Sequence, residues 1–356
     1  MFNNEKFPQK YIILMNIYVY LCKKFLVSNI FYESNMKKLL IPAIVAAIIF
    51  NVSCGENRCR VAEGELDGEI SLSGAFALYP LAVKWAEEFQ VLHPCVRIDI
   101  SAGGAGKGMT DVLANVVDIG MVSRDVYQVE VERGAVVFAV AKDAVVATVS
   151  AQNPALADLL KTGITSETAY KLWISGEYKT WGQVAGTSNN SSVHVYTRSD
   201  ACGAGETWAQ WMGKNQEDLG GTAVFGDPGL AMAIQRDRLG IGYNNLSYTY
   251  DEATRLPNEG IVVLPIDVDG NGEIDDYERF YDTKDRIIAA IAADKFPSPP
   301  ARDLYLVTNG IPKDPTLVAF LQFILTEGQQ YNVPQGYISL SEEKLQKGLE
   351  LIKNDE

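Results

Sequence analysis

Apolar and polar residues alternate over Ile70 to Gly74 and the run breaks at glycine, which predicts a short strand. Residues 80–90 (PLAVKWAEEFQ) place apolar side chains at helical spacing and predict an amphipathic helix. Val96 to Ile100 alternates as a strand and meets a cluster at Gly103, Gly104, Gly106 and Gly108, ahead of a predicted helix over 109–115 and a strand over 117–122. This succession of strand and helix predicts a mostly parallel α/β unit. Val136 to Ser150 is rich in Val and Ala and reads as buried strand. A second α/β unit follows Asn153-Pro154, with helices over 165–176, 206–213 and 230–238, a turn at 181–184, and strands over 193–197 and 239–243. Strands over 261–265 and 303–308 and a helix over 317–329 complete the chain, with no internal repeat.

The N-terminal region reads as an address. Met36-Lys37-Lys38 precedes an apolar run from Leu39 to Phe50, then Asn51-Val-Ser-Cys54, the pattern of a secretory signal ending at a lipoprotein-type cysteine. The run is shorter than the ~20 apolar residues that a membrane span requires. Residues 1–35 are expected to lie upstream of the true start, 36–53 to be the signal, Cys54 to carry lipid, and 54–65 to be a tether. The chain is therefore expected to be exported and held at the cell envelope. Of the cysteines beyond the anchor, Cys59, Cys95 and Cys202, at most one pair can form a disulfide, and no C-x-x-C pair suggests thiolate zinc.

Charge narrows the class of partner. The formal charge is −14, and without residues 1–53 it becomes −18, so the body offers no basic field for nucleic acid. An anionic ligand would have to be held locally, by helix ends and a few placed cations. Two strand-to-helix junctions have that design. Ile100 runs into Ser101-Ala-Gly-Gly-Ala105-Gly106-Lys-Gly108, and Thr197 runs into Arg198-Ser-Asp-Ala-Cys202-Gly203-Ala204-Gly-Glu206. Small residues let backbone N–H groups converge there, and Arg198 adds a planar donor fork. Neither run is a nucleotide loop: Ser101 and Gly108 break the G-x-x-x-x-G-K-[ST] spacing, and the G-x-G-x-x-G spacing also fails.

These segments resemble the periplasmic phosphate-binding proteins of ABC importers. The similarity runs through Gly74-Ala-Phe-Ala-Leu-Tyr-Pro80, the glycine loop with its "VDI" strand, AYKLWISGEYKTWGQV, YTRSDACGAGET, LGIGYNN and ARDLYLVTNG, over roughly residues 68–345. The resemblance implies a two-lobed, hinged, type II solute-binding α/β fold with mixed, mostly parallel sheets. Lobe one would take 66–147 and 262–356, and lobe two 148–261. It implies a monomer that carries a small anionic or polar solute in the interlobe cleft to an ABC permease, and no catalysis. The family's ligand positions fall at Ala77 and the Leu78 N–H, Ala105 and Gly106, Ser123 and Arg124, Arg198, and Cys202, Gly203 and Ala204. The family's hydroxyls are thus replaced at Ala77, Ala105, Cys202 and Ala204, and Arg124 stands where the family has an acid that accepts the proton of phosphate. Phosphate is then one candidate among related anions, and weaker binding than the family norm is expected because of Ala77 and Ala105.

Residues 267–278 form a separate motif. Asp267, Asp269, Asn271, Asp275 and Glu278 fall at positions 1, 3, 5, 9 and 12 of a calcium loop, with Gly272 at position 6 and the Glu273 carbonyl at position 7. The residues before it read as strand, so a structural Ca²⁺ site outside a standard helix pair is expected, within lobe one. Two other functions stay open. One is a calcium-stabilised sensor or surface protein of the same fold with a non-phosphate ligand. The other is a cysteine hydrolase that pairs Cys202 with His194.

Overall fold

The computed structural model describes residues 65–353, all within one compact unit, Arg60–Glu356. The signal, Cys54 and most of the tether lie outside the described residues. Strand β1 (Gly68–Gly74) leads to helix α1 (Tyr79–Leu92), whose Pro80 sits in the first turn, where a missing N–H costs nothing. β2 (Val96–Ala102), α2 (Ala105–Leu113), β3 (Ile119–Val122) and α3 (Gln128–Glu132) follow. The Val/Ala run becomes one strand, β4 (Ala135–Ser150). Beyond it come α4 (Leu156–Thr162), α5 (Trp181–Ala185), β5 (His194–Arg198), α6 (Gly203–Trp211), β6 (Thr222–Val224), α7 (Gly226–Arg236), β7 (Gly240–Asn245) and β8 (Ile261–Val263). The described residues close with α8 (Lys284–Ala292), β9 (Ala301–Asn309), α9 (Pro315–Leu325) and α10 (Glu342–Lys353).

The strands run β2-β1-β3-β9-β4-β7-β5-β6, with β8 also on β4. β2, β1 and β3 are mutually parallel, as are β7, β5 and β6. Antiparallel β9 and β4 join the two parallel sets. β4 makes the join by changing partners: Ala135 to Ala144 pair with β9, and Val145 to Val149 pair with β7. Each set covers its own core. One is built around Leu72, Trp85, Phe138, Leu304 and Phe320, the other around Val145, Trp173, Trp181, Trp208 and Tyr243. The two α/β units that the pattern predicts thus form the two lobes that the resemblance implies.

The lobe boundary differs from the sequence expectation. Leu264, Ile266, Phe280, Tyr281, Ile287 and Phe296 pack into the lobe-two core, and β8 pairs with the second half of β4. The chain therefore returns to lobe one at β9, near residue 301, and the calcium-type loop belongs to lobe two.

Candidate functional site

Both glycine-rich junctions fold further into helix than their sequences predict. α2 begins at Ala105 and α6 at Gly203, so Gly106, Gly108, Gly203 and Gly205 lie inside helices. The glycines are needed for close approach. A Cβ on Gly203 would stand 2.0 Å from the Ser123 carbonyl oxygen, and one on Gly106 would stand 2.7 Å from Ala201 Cβ. Gly104 has φ +90, a conformation that favours glycine. The start of α2 thus touches Ala201, just ahead of α6, and the start of α6 touches Ser123, just after β3, so the two junctions meet across the lobes.

The lobes are joined by few polar contacts at this point. The Gly106 N–H donates to the Ala201 carbonyl at 3.1 Å. Tyr248 OH donates to the Phe76 carbonyl at 3.2 Å, and Tyr127 OH donates to Glu206 Oε1 at 3.1 Å. Phe76 lies edge-on to Phe225 and Tyr248, with the Arg198 guanidinium 5.5 Å from its ring centre. An aromatic ring of lobe one therefore covers the cation of lobe two.

Arg198 is fully buried and heavily engaged. Nε donates to Asp200 Oδ1 at 2.8 Å, Nη2 to Asp200 Oδ2 at 2.5 Å, and Nη1 to Asp227 Oδ2 at 2.5 Å. Burial alone would lower its pKa, but Asp227, Cys202 and Asp200 outweigh that and raise it well above its ordinary value. Those bonds use three of the five guanidinium N–H groups, and the side chain has no exposed surface. The pair of aspartates also gives this cluster one more negative than positive charge.

The remaining predicted positions divide. Ala77 and Ala105 are buried in the lobe-one core and Cys202 and Ala204 in the lobe-two core, while Ser123 is buried against Gly203. The Leu78 N–H, expected to face ligand, donates to the Ala75 carbonyl at 3.1 Å, and the Gly106 N–H is taken by Ala201. Arg124 lies beside the junction but is committed elsewhere: its guanidinium pairs with Glu130 at 2.7 and 2.9 Å and stacks on Tyr127 at 4.2 Å. Burial and the Glu206 carboxylate push Tyr127 up to about 12. Among the described residues, the N–H groups of Gly203 and Ala204 have no acceptor, as is usual for the first turn of a helix. Free amides at a helix N-terminus suit an anionic or polar group.

Cys202 is the free thiol among the described residues, and Cys95 is disulfide-bonded. Burial pushes the Cys202 thiol up to about 12, and its Sγ accepts the Gly205 N–H as the cap of α6. His194 is bonded to Asp237 at 2.6 Å. A protonated, buried thiol used as a helix cap is not a nucleophile, so the hydrolase reading fails.

In the second motif, carboxylate oxygens of Asp267, Asp269 and Glu278 lie within 4.8 Å of one another. Asp267 accepts the N–H groups of Gly270 and Gly272, and Glu278 accepts those of Val268 and Asp275. Gly272 has φ +85, as the tight sixth position of the motif requires. Asn271, Glu273 and Asp275 lie along the loop, with Asn271 Nδ2 3.0 Å from Asp275. Three carboxylates, two of them buried, converge without a lysine or arginine contact to any of them among the described residues. This oxygen-only donor set fits a hard divalent cation.

A family model for the PBP superfamily domain matches residues 61–327. The chain belongs to the PBP superfamily. Among curated relatives of this superfamily member, the phosphate-binding protein PstS of Bacillus subtilis is 27% identical over 235 residues, which cover 63% of this chain and 76% of that protein. PstS of Pseudomonas aeruginosa is 24% identical, covering 80% and 87%. Among solved structures, a phosphate ABC transporter substrate-binding protein of Clostridium perfringens, with bound phosphate, aligns at TM-score 0.62 and 21% identity over 77% of this chain and all of that one. A phosphate transport receptor of Vibrio cholerae aligns at TM-score 0.56 and 19% identity, covering 76% and 100%. These structures share the two-lobed fold. No helix among the described residues is long and apolar enough to cross a membrane.

Asp200, Asp227, Phe76 and Arg302 are site features that sequence reasoning did not single out. Asp200, two residues after Arg198, was within reach of a spacing argument. Asp227, 29 residues away, was not.

Proposed function

We propose that this chain is the solute-binding component of an ABC importer and captures phosphate or a related small anion between its lobes. The observation that carries this is the close approach of the two glycine-rich junctions across the lobes, with Arg198 at one of them. The names of the relatives support the same class. The test is calorimetry of the purified protein with phosphate, sulfate, molybdate and small organic acids, alongside mass spectrometry of molecules released on denaturation. Saturable binding of one oxyanion is expected, and no binding of any would overturn the reading. The neutralised Arg198 and the absent hydroxyls favour a second reading, a sensor of the same fold with a non-phosphate ligand. Release of an organic solute, with no heat from phosphate, would select it.

Two further assignments belong to this reading. Cys54 carries a lipid anchor after cleavage of residues 36–53, which a diacylglyceryl mass on an N-terminal Cys54 peptide would support and an unmodified one refute. Asp267, Asp269, Asn271, Asp275 and Glu278, with the Glu273 carbonyl, hold one Ca²⁺ that stabilises lobe two.

A further inference from the structure

Arg302, on β9, is buried and stands in register opposite Asp143 on β4. Its Nη1 donates to the Gly203 carbonyl at 2.7 Å and to Thr207 Oγ1 at 3.0 Å, and its Nη2 donates to Asn245 Oδ1. Gly203 and Thr207 lie at the N-terminal end of α6, where the first amides are free. Asn245 in turn donates from Nδ2 to Asp227 at 2.7 Å, and Asp227 accepts from Arg198. One arginine is thus bonded to the helix that offers the free amides and, through one amide side chain, to the carboxylate that offsets Arg198.

The tie crosses the lobes. β9 pairs with β3 and with the lobe-one half of β4, whereas α6, β7 and Asp227 belong to lobe two. Asp143 supplies the counter-charge: it lies 3.7 Å from Arg302 Nη2, and neither of its buried oxygens makes a hydrogen bond of normal geometry. A guanidinium presents its donors in one fixed plane and can serve three acceptors in different directions, which an ammonium on a flexible stem cannot do as rigidly.

We propose that Arg302, balanced by Asp143, is a positioning residue that sets the first turn of α6 and the orientation of Asp227, and so shapes the ligand cradle from the hinge. This rests on reading the cleft as an anion site, so the test has one arm that needs no ligand. Hydrogen–deuterium exchange is measured at the amides of residues 205–207 in wild type, Arg302→Met, Arg302→Lys, Asp143→Asn and Leu321→Ala. Leu321 is a fully buried lobe-one residue, and its truncation controls for general destabilisation. Calorimetry with inorganic phosphate is run on the same proteins.

Arg302→Met should speed exchange at 205–207 by about tenfold and weaken phosphate binding by about tenfold, from the loss of charged hydrogen bonds. Arg302→Lys should recover part of both, and Asp143→Asn should show a smaller loss in each. Leu321→Ala should leave 205–207 protected even as its melting temperature falls. Exchange in the arginine variants that matches wild type, or that rises equally in Leu321→Ala, overturns the proposal whether or not phosphate binds. Wild-type protein that gives no heat with phosphate, while the arginine variants loosen α6, removes phosphate as the ligand and upholds the tether. If Arg302→Met does not fold, Arg302→Lys and Asp143→Asn decide the matter by the same measurements.

Discussion

Asp227 decides how much of the Arg198 charge a ligand can feel. With Asp200 alone the guanidinium would form a neutral pair, but with both aspartates the cluster is net negative, in a place where solvent does not screen it. Asp227→Asn is therefore expected to strengthen phosphate binding by about tenfold, since one opposing charge goes and one N–H is released. Calorimetry checks this, and unchanged or weaker binding would contradict it. Asp143 makes a different prediction. Burial pushes its carboxyl up to about 6 from 3.8, against the pull of Arg302 and Lys284 and with Asp227 adding to the rise, while the buried Tyr337 hydroxyl also faces it. The folded state then holds this proton more tightly than the unfolded chain. Its contribution to stability is greatest below pH ~4, falls as pH rises through about 6, and is constant above that. Urea unfolding at pH 4.5 and 7.0 should show wild type losing about 2 kcal/mol relative to Asp143→Asn across that window. Parallel pH profiles would refute it. At this scale the sequence disclosed Arg198 and the small residues around it, because their chemistry is local. It could not disclose that Arg124 pairs with Glu130 or that Asp227 reaches Arg198, because those partners are set by how the elements pack.

Glycine at a strand-to-helix junction has two readings, a flexible turn or a packing surface. The sequence pattern suggests the first for 103–108 and 203–205, and so starts both helices too late. The structure shows the second, with α2 and α6 packed so that a single added methyl group collides across the lobes. Gly203→Ala tests this, because its Cβ would stand 2.0 Å from the Ser123 carbonyl and must hold the lobes apart. Overpacking of this kind costs about 1–3 kcal/mol. Phosphate binding should weaken by roughly tenfold or more, and the radius of gyration from X-ray scattering should exceed that of wild type. Wild-type affinity with an unchanged radius would show that the two ends do not close on each other. Other elements were read from pattern with little error: β1, α1, β2 and β9 follow directly from alternation or helical spacing. Trp181 to Val184, read as a turn, is the start of a short helix because Thr180 and Gln183 form a capping box. The sequence pattern does not predict α8 and α10, because charged residues dilute their apolar stripes and their inner faces are defined by the cores they cover.

At the scale of the whole molecule, the calcium-type loop matters through what it is fastened to. Its flanks are buried in lobe two: the Ile266 N–H donates to Tyr281 OH at 3.1 Å, the Ile274 N–H donates to the Lys161 carbonyl at 2.7 Å, and the Ile274 side chain is buried. The twelve-residue pattern itself was legible in the sequence because its chemistry is contiguous, but its placement was not, since only the pairing of β8 with β4 shows which lobe holds it. Between those anchors, Asp267, Asp269 and Glu278 bring three carboxylates together, with backbone N–H groups as partial compensation. Removing a bound Ca²⁺ would leave them to repel one another and loosen 264–281 from the lobe-two core. A ligand at ~100 times its Kd adds about 2.7 kcal/mol to the folded state, which corresponds to a shift of roughly 5 °C or more in a chain of this size. Scanning calorimetry with Ca²⁺ and with chelator should show that difference for wild type, and Glu278→Gln should melt at the chelated temperature in both. The heat of phosphate binding should survive chelation, since the cleft donors lie on α6 and β5 and not on the loop. Equal melting temperatures for wild type with and without Ca²⁺ would remove the ion from the account of this fold.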